Sequence, residues 1–137
     1  MTPDSHSQAR FSYRVPYADT DPMGVVYYAN FLVYFERSRN EALRALGLTY
    51  REMEEQGFLL PVIEAHCQNR QPARYDDLLT IRGWFTREGR TRVRAHCEVS
   101  RGETLLAEGY TIHACVSRET MRPVRLPETF LPAAKEP

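Results

Sequence analysis

Two carboxylates, Asp19 and Asp21, stand two residues apart in the run Asp19-Thr20-Asp21-Pro22-Met23-Gly24. Asp, Pro and Gly in such density make this run a turn. The segment after it carries Phe31, Leu32, Phe35, Ser38, Arg39, Ala42, Leu43 and Leu46 on an i, i+3, i+4 pattern with Gly47 as the stop, which is the spacing of a helix. Asn30 is expected as its N-cap, because its side-chain oxygen can accept an orphan amide hydrogen. A carboxylate in a turn that feeds a helix can face a bound molecule. The helix start near Tyr28 to Asn30 offers free backbone N–H groups and a positive dipole end. The carboxylate could attack or take a proton, and the amides could hold negative charge developing on an oxygen. Asp21 alone reads first as a turn-former or a helix cap, and the turn by itself does not raise it above that.

Other residue types suited to chemistry carry less. His66-Cys67, His96-Cys97 and His113-Ala114-Cys115 resemble metal-ligand pairs in type. Adjacent strand residues point to opposite faces, so His66 and Cys67 cannot chelate together, and no metal site is expected. Cys97 fits the alternation Val93, Ala95, Cys97, Val99 as a small core residue. None of the cysteines begins a helix, where its pKa would fall, which disfavours a Cys–His nucleophile. The sequence has no GxSxG elbow, and no GxGxxG or GxxxxGK run for a nucleotide cofactor. Arg90, Arg92 and Arg94 share a strand face, as a salt-bridged solvated surface or as a grip on phosphates.

The elements that must position these residues follow from periodicity. Phe11 to Ala18 reads as a first strand, with Tyr13, Val15 and Tyr17 on one face and Pro16 marking an edge or strand end. Val33 and Tyr34 widen the apolar face of the long helix, which is therefore expected to be buried on several sides. A short second helix spans Thr49 to Gln56, with Thr49 as cap, Glu52 in the capping-box position and Gly57 as stop. Beyond Gly57 the period becomes two, with strands expected at 58–70, 78–87, 91–101 and 104–116. The last three, joined by short turns, should form an antiparallel meander. One strand, a long helix and then long antiparallel strands indicate an α+β class, with a curved sheet around one helix.

A chain of 137 residues suits one domain, expected over residues 11–130, with residues 1–10 and 131–137 as flexible tails. Eighteen basic residues balance eighteen acidic ones, which argues against nucleic-acid or polybasic membrane partners. Lys135 is the single lysine among those eighteen, and the arginine excess directs attention to sites where a planar donor fork is useful. Three widely spaced cysteines suit a reducing compartment rather than a disulfide framework. The N-terminus lacks a signal-like apolar core, and the most apolar stretch, residues 24–35, falls short of the roughly 20 residues a membrane span needs. A cytoplasmic protein without membrane insertion is expected.

The run from Tyr17 through Asp19, Asp21, Gly24, Tyr28 and Asn30 to Phe35-Glu36-Arg37 resembles the signature of the hotdog-fold acyl-CoA thioesterases. It is most similar to the 4-hydroxybenzoyl-CoA thioesterase group and its relatives associated with the Tol-Pal system. Residues 74–79, 108–113 and 122–127 resemble later parts of the same family, so the likeness covers about residues 12–130.

The resemblance implies a hotdog fold, with a long central helix wrapped by a five- to six-stranded antiparallel sheet. It implies homodimers that extend the sheet across the subunit boundary, pairing further into homotetramers, with active sites at the dimer interface. It places the catalytic carboxylate at Asp21, as nucleophile or general base, and the oxyanion donor at the Tyr28 N–H. Tyr17, Gly24 and Asn30 become substrate-side residues, Tyr17 being equally a packed core aromatic. Arg90 becomes the residue expected to hold coenzyme A phosphates. Asp19 is expected to be structural, tying the turn to backbone amides. No cofactor is implied beyond the coenzyme A of the substrate. Many Tol-Pal-associated members carry His after the first tyrosine of the pair, whereas this chain has Tyr27-Tyr28, which weakens an Asp–His mechanism. The substrate stays open between short-chain and aromatic acyl groups. Two alternatives remain: a hotdog dehydratase or hydratase, disfavoured because all four histidines lie outside residues 11–57, and a non-catalytic acyl-thioester-binding module.

Overall fold

The computed structural model describes residues 8–137; residues 1–7 of the expected N-terminal tail, His6 among them, lie outside the described residues. The chain forms β1 (Gln8–Arg14), α1 (Asn30–Ala45), α2 (Tyr50–Glu55), β2 (Phe58–Leu59), β3 (Val62–Asn69), β4 (Leu78–Glu88), β5 (Arg92–Arg101), β6 (Thr104–Ala114), β7 (Val116–Ser117) and β8 (Ala134–Lys135). Single 3₁₀ turns occupy Tyr17–Asp19 and Glu128–Phe130. The main sheet runs β1-β4-β5-β6-β3, all neighbours antiparallel, and β8 adds to β4 in parallel beyond the start of β1. The α+β class and the helix-on-sheet arrangement are as the pattern and the resemblance implied.

The helix lies on the inner face of the sheet. Along β5 the inner positions Val93, Ala95, Cys97 and Val99 are all buried. The buried stripe of α1 is Phe31, Tyr34, Phe35, Ser38, Ala42 and Leu43. Small residues under the helix permit a close approach: a Cβ on Gly83 would sit 1.9 Å from Ser38 Oγ, and one on Gly109 2.9 Å from the Phe35 ring. α2 begins at its expected cap, the Glu52 N–H donating to Thr49 Oγ1 at 3.1 Å.

Several expectations shift, each for a local reason. The first strand is β1 and ends at Arg14, since Val15 turns its N–H to the Asp77 carbonyl and Pro16 has none to give. The strand expected over 58–70 is two strands, broken at Leu60-Pro61, where the Leu60 carbonyl accepts from His113 Nδ1. The helix α1 is buried along one side only, with Leu32 40% and Val33 52% exposed, because the sheet covers a single face of it. At the C-terminus, Phe130 and Ala133 are buried in the core under the second half of α1, and β8 follows them onto the sheet. Residues 8–10 likewise belong to β1. Apolar anchors and ladder bonds therefore hold segments that composition alone presented as tails.

Candidate active site

The turn is built by backbone pairing before any side chain acts. Asp76 N–H bonds to the Val15 carbonyl at 2.9 Å, fixing the chain where it leaves β1. Thr20 pairs with Val26, and Tyr27 N–H reaches the Asp19 carbonyl at 2.9 Å. Asp21 N–H bonds to the Val25 carbonyl and accepts Gly24 N–H on its own carbonyl, both at 2.9 Å, with Gly24 at φ +80°. Asp21 and Tyr28 thus stand at the two ends of one short antiparallel pairing.

Asp21 is partly exposed, and its Oδ1 accepts the Met23 N–H at 2.9 Å. That bond fixes the carboxyl plane. The second oxygen has no donor among the described residues, which leaves it available to attack or to take a proton. The neighbouring helix start supplies the complementary group. Asn30, Phe31 and Leu32 give their N–H groups to the Tyr27, Tyr28 and Ala29 carbonyls in tight i−3 bonds. The Tyr28 and Ala29 N–H groups donate to no acceptor among the described residues, and they lie at the positive end of the α1 dipole.

Asn30 is not the cap expected from its type. Ala29 occupies the N-cap position without a side-chain bond, and Asn30 is the first helical residue. Its Nδ2 instead donates to the Asp19 carbonyl at 2.9 Å, tying helix to turn. Asp19 also departs from expectation. Its carboxylate accepts two phenols rather than amides: Tyr13 hydroxyl at 2.8 Å and Tyr34 hydroxyl at 2.7 Å, both on Oδ2. Burial and the bond to Asp19 push both tyrosines up from their ordinary pKa, so both remain donors. Sequence reasoning missed this pair. Tyr13 and Tyr34 lie 21 positions apart, and no local spacing joins them.

Tyr17 is not a core aromatic; its ring is 76% exposed and meets the Tyr75 ring edge-on at 5.8 Å. Tyr75, also missed, arrives because residues 73–74 pair beside Val25 and Val26. None of the described histidines bonds to the turn. His96 bonds to Thr86 and Glu136, while buried His113 is held between Thr111 and the Leu60 carbonyl. Among the described residues no group of three or more His, Cys, Asp or Glu side chains could hold a metal.

Arg90 is exposed at the β4–β5 turn, in a groove of about 580 Å³ lined also by Arg87, Arg125 and Lys135 and by the acidic Glu128 and Glu136. Arg90, Arg125 and Lys135 have no acidic partner within 4.0 Å among the described residues. Arg94, by contrast, is engaged by Glu88 and Glu136 and stacks over Tyr110, which is the salt-bridged surface reading. At the far edge of the sheet, β3 is exposed along nearly its whole length, with Val62 46% and Ile63 49% exposed. No helix among the described residues is long and apolar enough to cross a membrane.

A family model described as thioesterase-like superfamily matches residues 15–134. An Escherichia coli O6:H1 protein, acyl-CoA thioester hydrolase YbgC, is 32% identical over 128 residues, covering 93% of this chain and 96% of that one. A 1,4-dihydroxy-2-naphthoyl-CoA hydrolase of Synechococcus elongatus is 31% identical over 121 residues, 87% of this chain and 89% of its own. Among solved structures, the Synechocystis protein Slr0204, a 1,4-dihydroxy-2-naphthoyl-CoA thioesterase, superposes with a TM-score of 0.83 at 27% identity, covering 90% and 93% of the two chains.

Proposed function

The chain belongs to the thioesterase-like superfamily, and on that premise we propose that it hydrolyses an acyl-CoA thioester to free acid and coenzyme A at Asp21. The observation that carries the reading is the free Asp21 oxygen at one end of a short backbone pairing that has the unengaged Tyr28 N–H at its other end. The thioester oxygen docks on the Tyr28 amide, where the α1 dipole stabilises charge building up in the tetrahedral transition state. The Asp21 carboxylate then attacks the carbonyl carbon, giving an anhydride that water opens, or removes a proton from the attacking water. Either route expels the thiolate of coenzyme A. The residues need no metal and no cofactor beyond that carried by the substrate.

Gly24 and Asn30 shape the turn and hold it to the helix, and Tyr17 with Tyr75 forms an aromatic wall beside it. Such a wall suits an aromatic acyl group as well as a short aliphatic one, and one relative is named for an aromatic acyl-CoA. Arg90, with Arg125 and Lys135, offers unpaired positive charge for the coenzyme A phosphates. The open edge of β3 and the uncovered Leu32 and Val33 of α1 fit a second copy of the chain, which completes each site as a homodimer or, with further pairing, a homotetramer. Three free cysteines accord with a cytoplasmic location.

The test is a panel of short-chain and aromatic acyl-CoAs with a thiol-detecting readout. Thiol release well above the uncatalysed rate from at least one substrate is the expected result. Binding of every acyl-CoA without thiol release, or water addition to an enoyl-CoA in its place, would overturn the hydrolase reading.

A further inference from the structure

We infer that Asp19, clamped by the hydroxyls of Tyr13 and Tyr34, is a positioning residue that sets the Asp21 carboxylate against the Tyr28 amide. The inference rests on the reading of Asp21 and Tyr28 given above, and deepens it. Asp19 is joined to three elements at once. Its Oδ2 accepts Tyr13 from β1 at 2.8 Å and Tyr34 from α1 at 2.7 Å. Its backbone carbonyl accepts the Tyr27 N–H and Asn30 Nδ2, each at 2.9 Å. Asp21 lies two residues after this hub, and Tyr28 one residue after Tyr27. Displacement of Asp19 therefore moves the carboxylate and the amide relative to each other.

The clamp is stiff because the phenols cannot swing freely. Tyr34 is 1% exposed, its ring meets Tyr13 at 5.0 Å between centroids, and Phe31 packs edge-on at 5.6 Å. The Arg37 guanidinium covers the Tyr13 ring at 4.6 Å and the Phe11 ring at 5.5 Å. A single oxygen receiving two fixed phenol donors at 2.8 and 2.7 Å is a directional contact. The Asp19 carboxylate bonds to Tyr13 and Tyr34, so its effect on Asp21 passes through the geometry of the turn.

The experiment compares the double variant Tyr13→Phe/Tyr34→Phe, Asp19→Asn and Asp19→Ala with the wild type on the best acyl-CoA of the panel. The double variant keeps both rings and removes both donors. It is expected to lose about 10- to 100-fold in kcat with KM within about threefold, as a small misplacement of reacting groups does. Asp19→Ala should fall equally. Asp19→Asn keeps an acceptor oxygen on the same stem and should stay within about threefold of wild type, where a role for the charge itself would make it as poor as Asp19→Ala. Amide hydrogen exchange at Tyr27 gives a readout independent of turnover: the double variant should exchange about tenfold faster there at unchanged global stability. If the double variant does not fold, Tyr13→Phe and Tyr34→Phe singly should each show a smaller kcat loss and faster Tyr27 exchange. Unchanged kcat with unchanged Tyr27 exchange in a folded phenylalanine variant, or Asp19→Asn as impaired as Asp19→Ala, overturns the inference. If the wild type releases no thiol from any acyl-CoA, the hydrolase reading fails, and the exchange result alone decides whether the clamp holds the turn.

Discussion

Gly83→Ala is a sharp structural perturbation, because one methyl group would have to enter the seam between sheet and helix. The new Cβ would stand 1.9 Å from Ser38 Oγ, 3.2 Å from Ser38 Cβ and 3.3 Å from the His96 carbonyl oxygen. The first distance is roughly 1.5 Å short of an ordinary contact, so Ser38 must turn or α1 must lift from the sheet. Ser38 is 1% exposed, which leaves little room for a new rotamer, and its hydroxyl has no hydrogen-bond partner among the described residues. Overpacking of this kind costs about 1–3 kcal/mol. For a domain of this size that is roughly 3–4 °C in Tm per kcal/mol, provided protein concentration is held fixed. Ser38→Ala removes both the clashing atom and an unsatisfied buried hydroxyl, and alone should be neutral or stabilising by up to about 1 kcal/mol. The double variant should recover much of the loss, because its tightest remaining contact is the 3.2 Å one. Urea denaturation of all four proteins, followed by circular dichroism, closes the cycle, with a coupling of at least about 1 kcal/mol expected. Additive effects, or a Gly83→Ala protein as stable as wild type, would refute the close-approach argument.

Burial holds the His113 pKa down to about 4, from an ordinary 6.5. The unfolded chain therefore takes up its proton first as pH falls, and about 3 kcal/mol of stability present at pH 7 should be lost between about pH 6.5 and 4. Urea midpoints across that range should slope less steeply in His113→Gln than in wild type. Thr49→Ala, which removes the acceptor of the Glu52 N–H, should cost about 1 kcal/mol in the same assay without changing turnover. Ile63→Lys places a charge on the exposed edge of β3 and, on the proposed pairing of two copies at that edge, should shift the sedimentation coefficient toward that of a monomer.

The elements that bury one regular face were legible in the sequence. The i, i+3, i+4 pattern placed the long helix to within a residue or two, and period-two alternation with short turns gave the β4-β5-β6 meander. Patterning failed where burial depends on what lies opposite. Leu32 and Val33 read like core residues, but a single sheet layer leaves them uncovered. Residues 131–137 read like a tail because Ala133 alone among them is buried, beside Phe130 just before them. The turn bearing Asp21 was legible from its own residues, and its functional meaning came from the family resemblance. The side chains that hold it were not legible. Asp19 carries the same local signal whether amides or distant phenols satisfy it, and Asn30 reads as a cap although its amide reaches back 11 residues to the Asp19 carbonyl. Tyr75 joins Tyr17 only through pairing between segments some fifty residues apart, a relation without a local trace.

The central claim is that the Asp21 carboxylate performs the chemistry while the turn around it merely holds it in place. Asn in its place keeps an oxygen for the Met23 N–H and removes the charge that attacks or accepts a proton. Thiol release by Asp21→Asn on the best acyl-CoA, measured beside wild type at matched stability, should fall at least about 100-fold. Turnover equal to wild type in a folded Asp21→Asn protein would contradict the account.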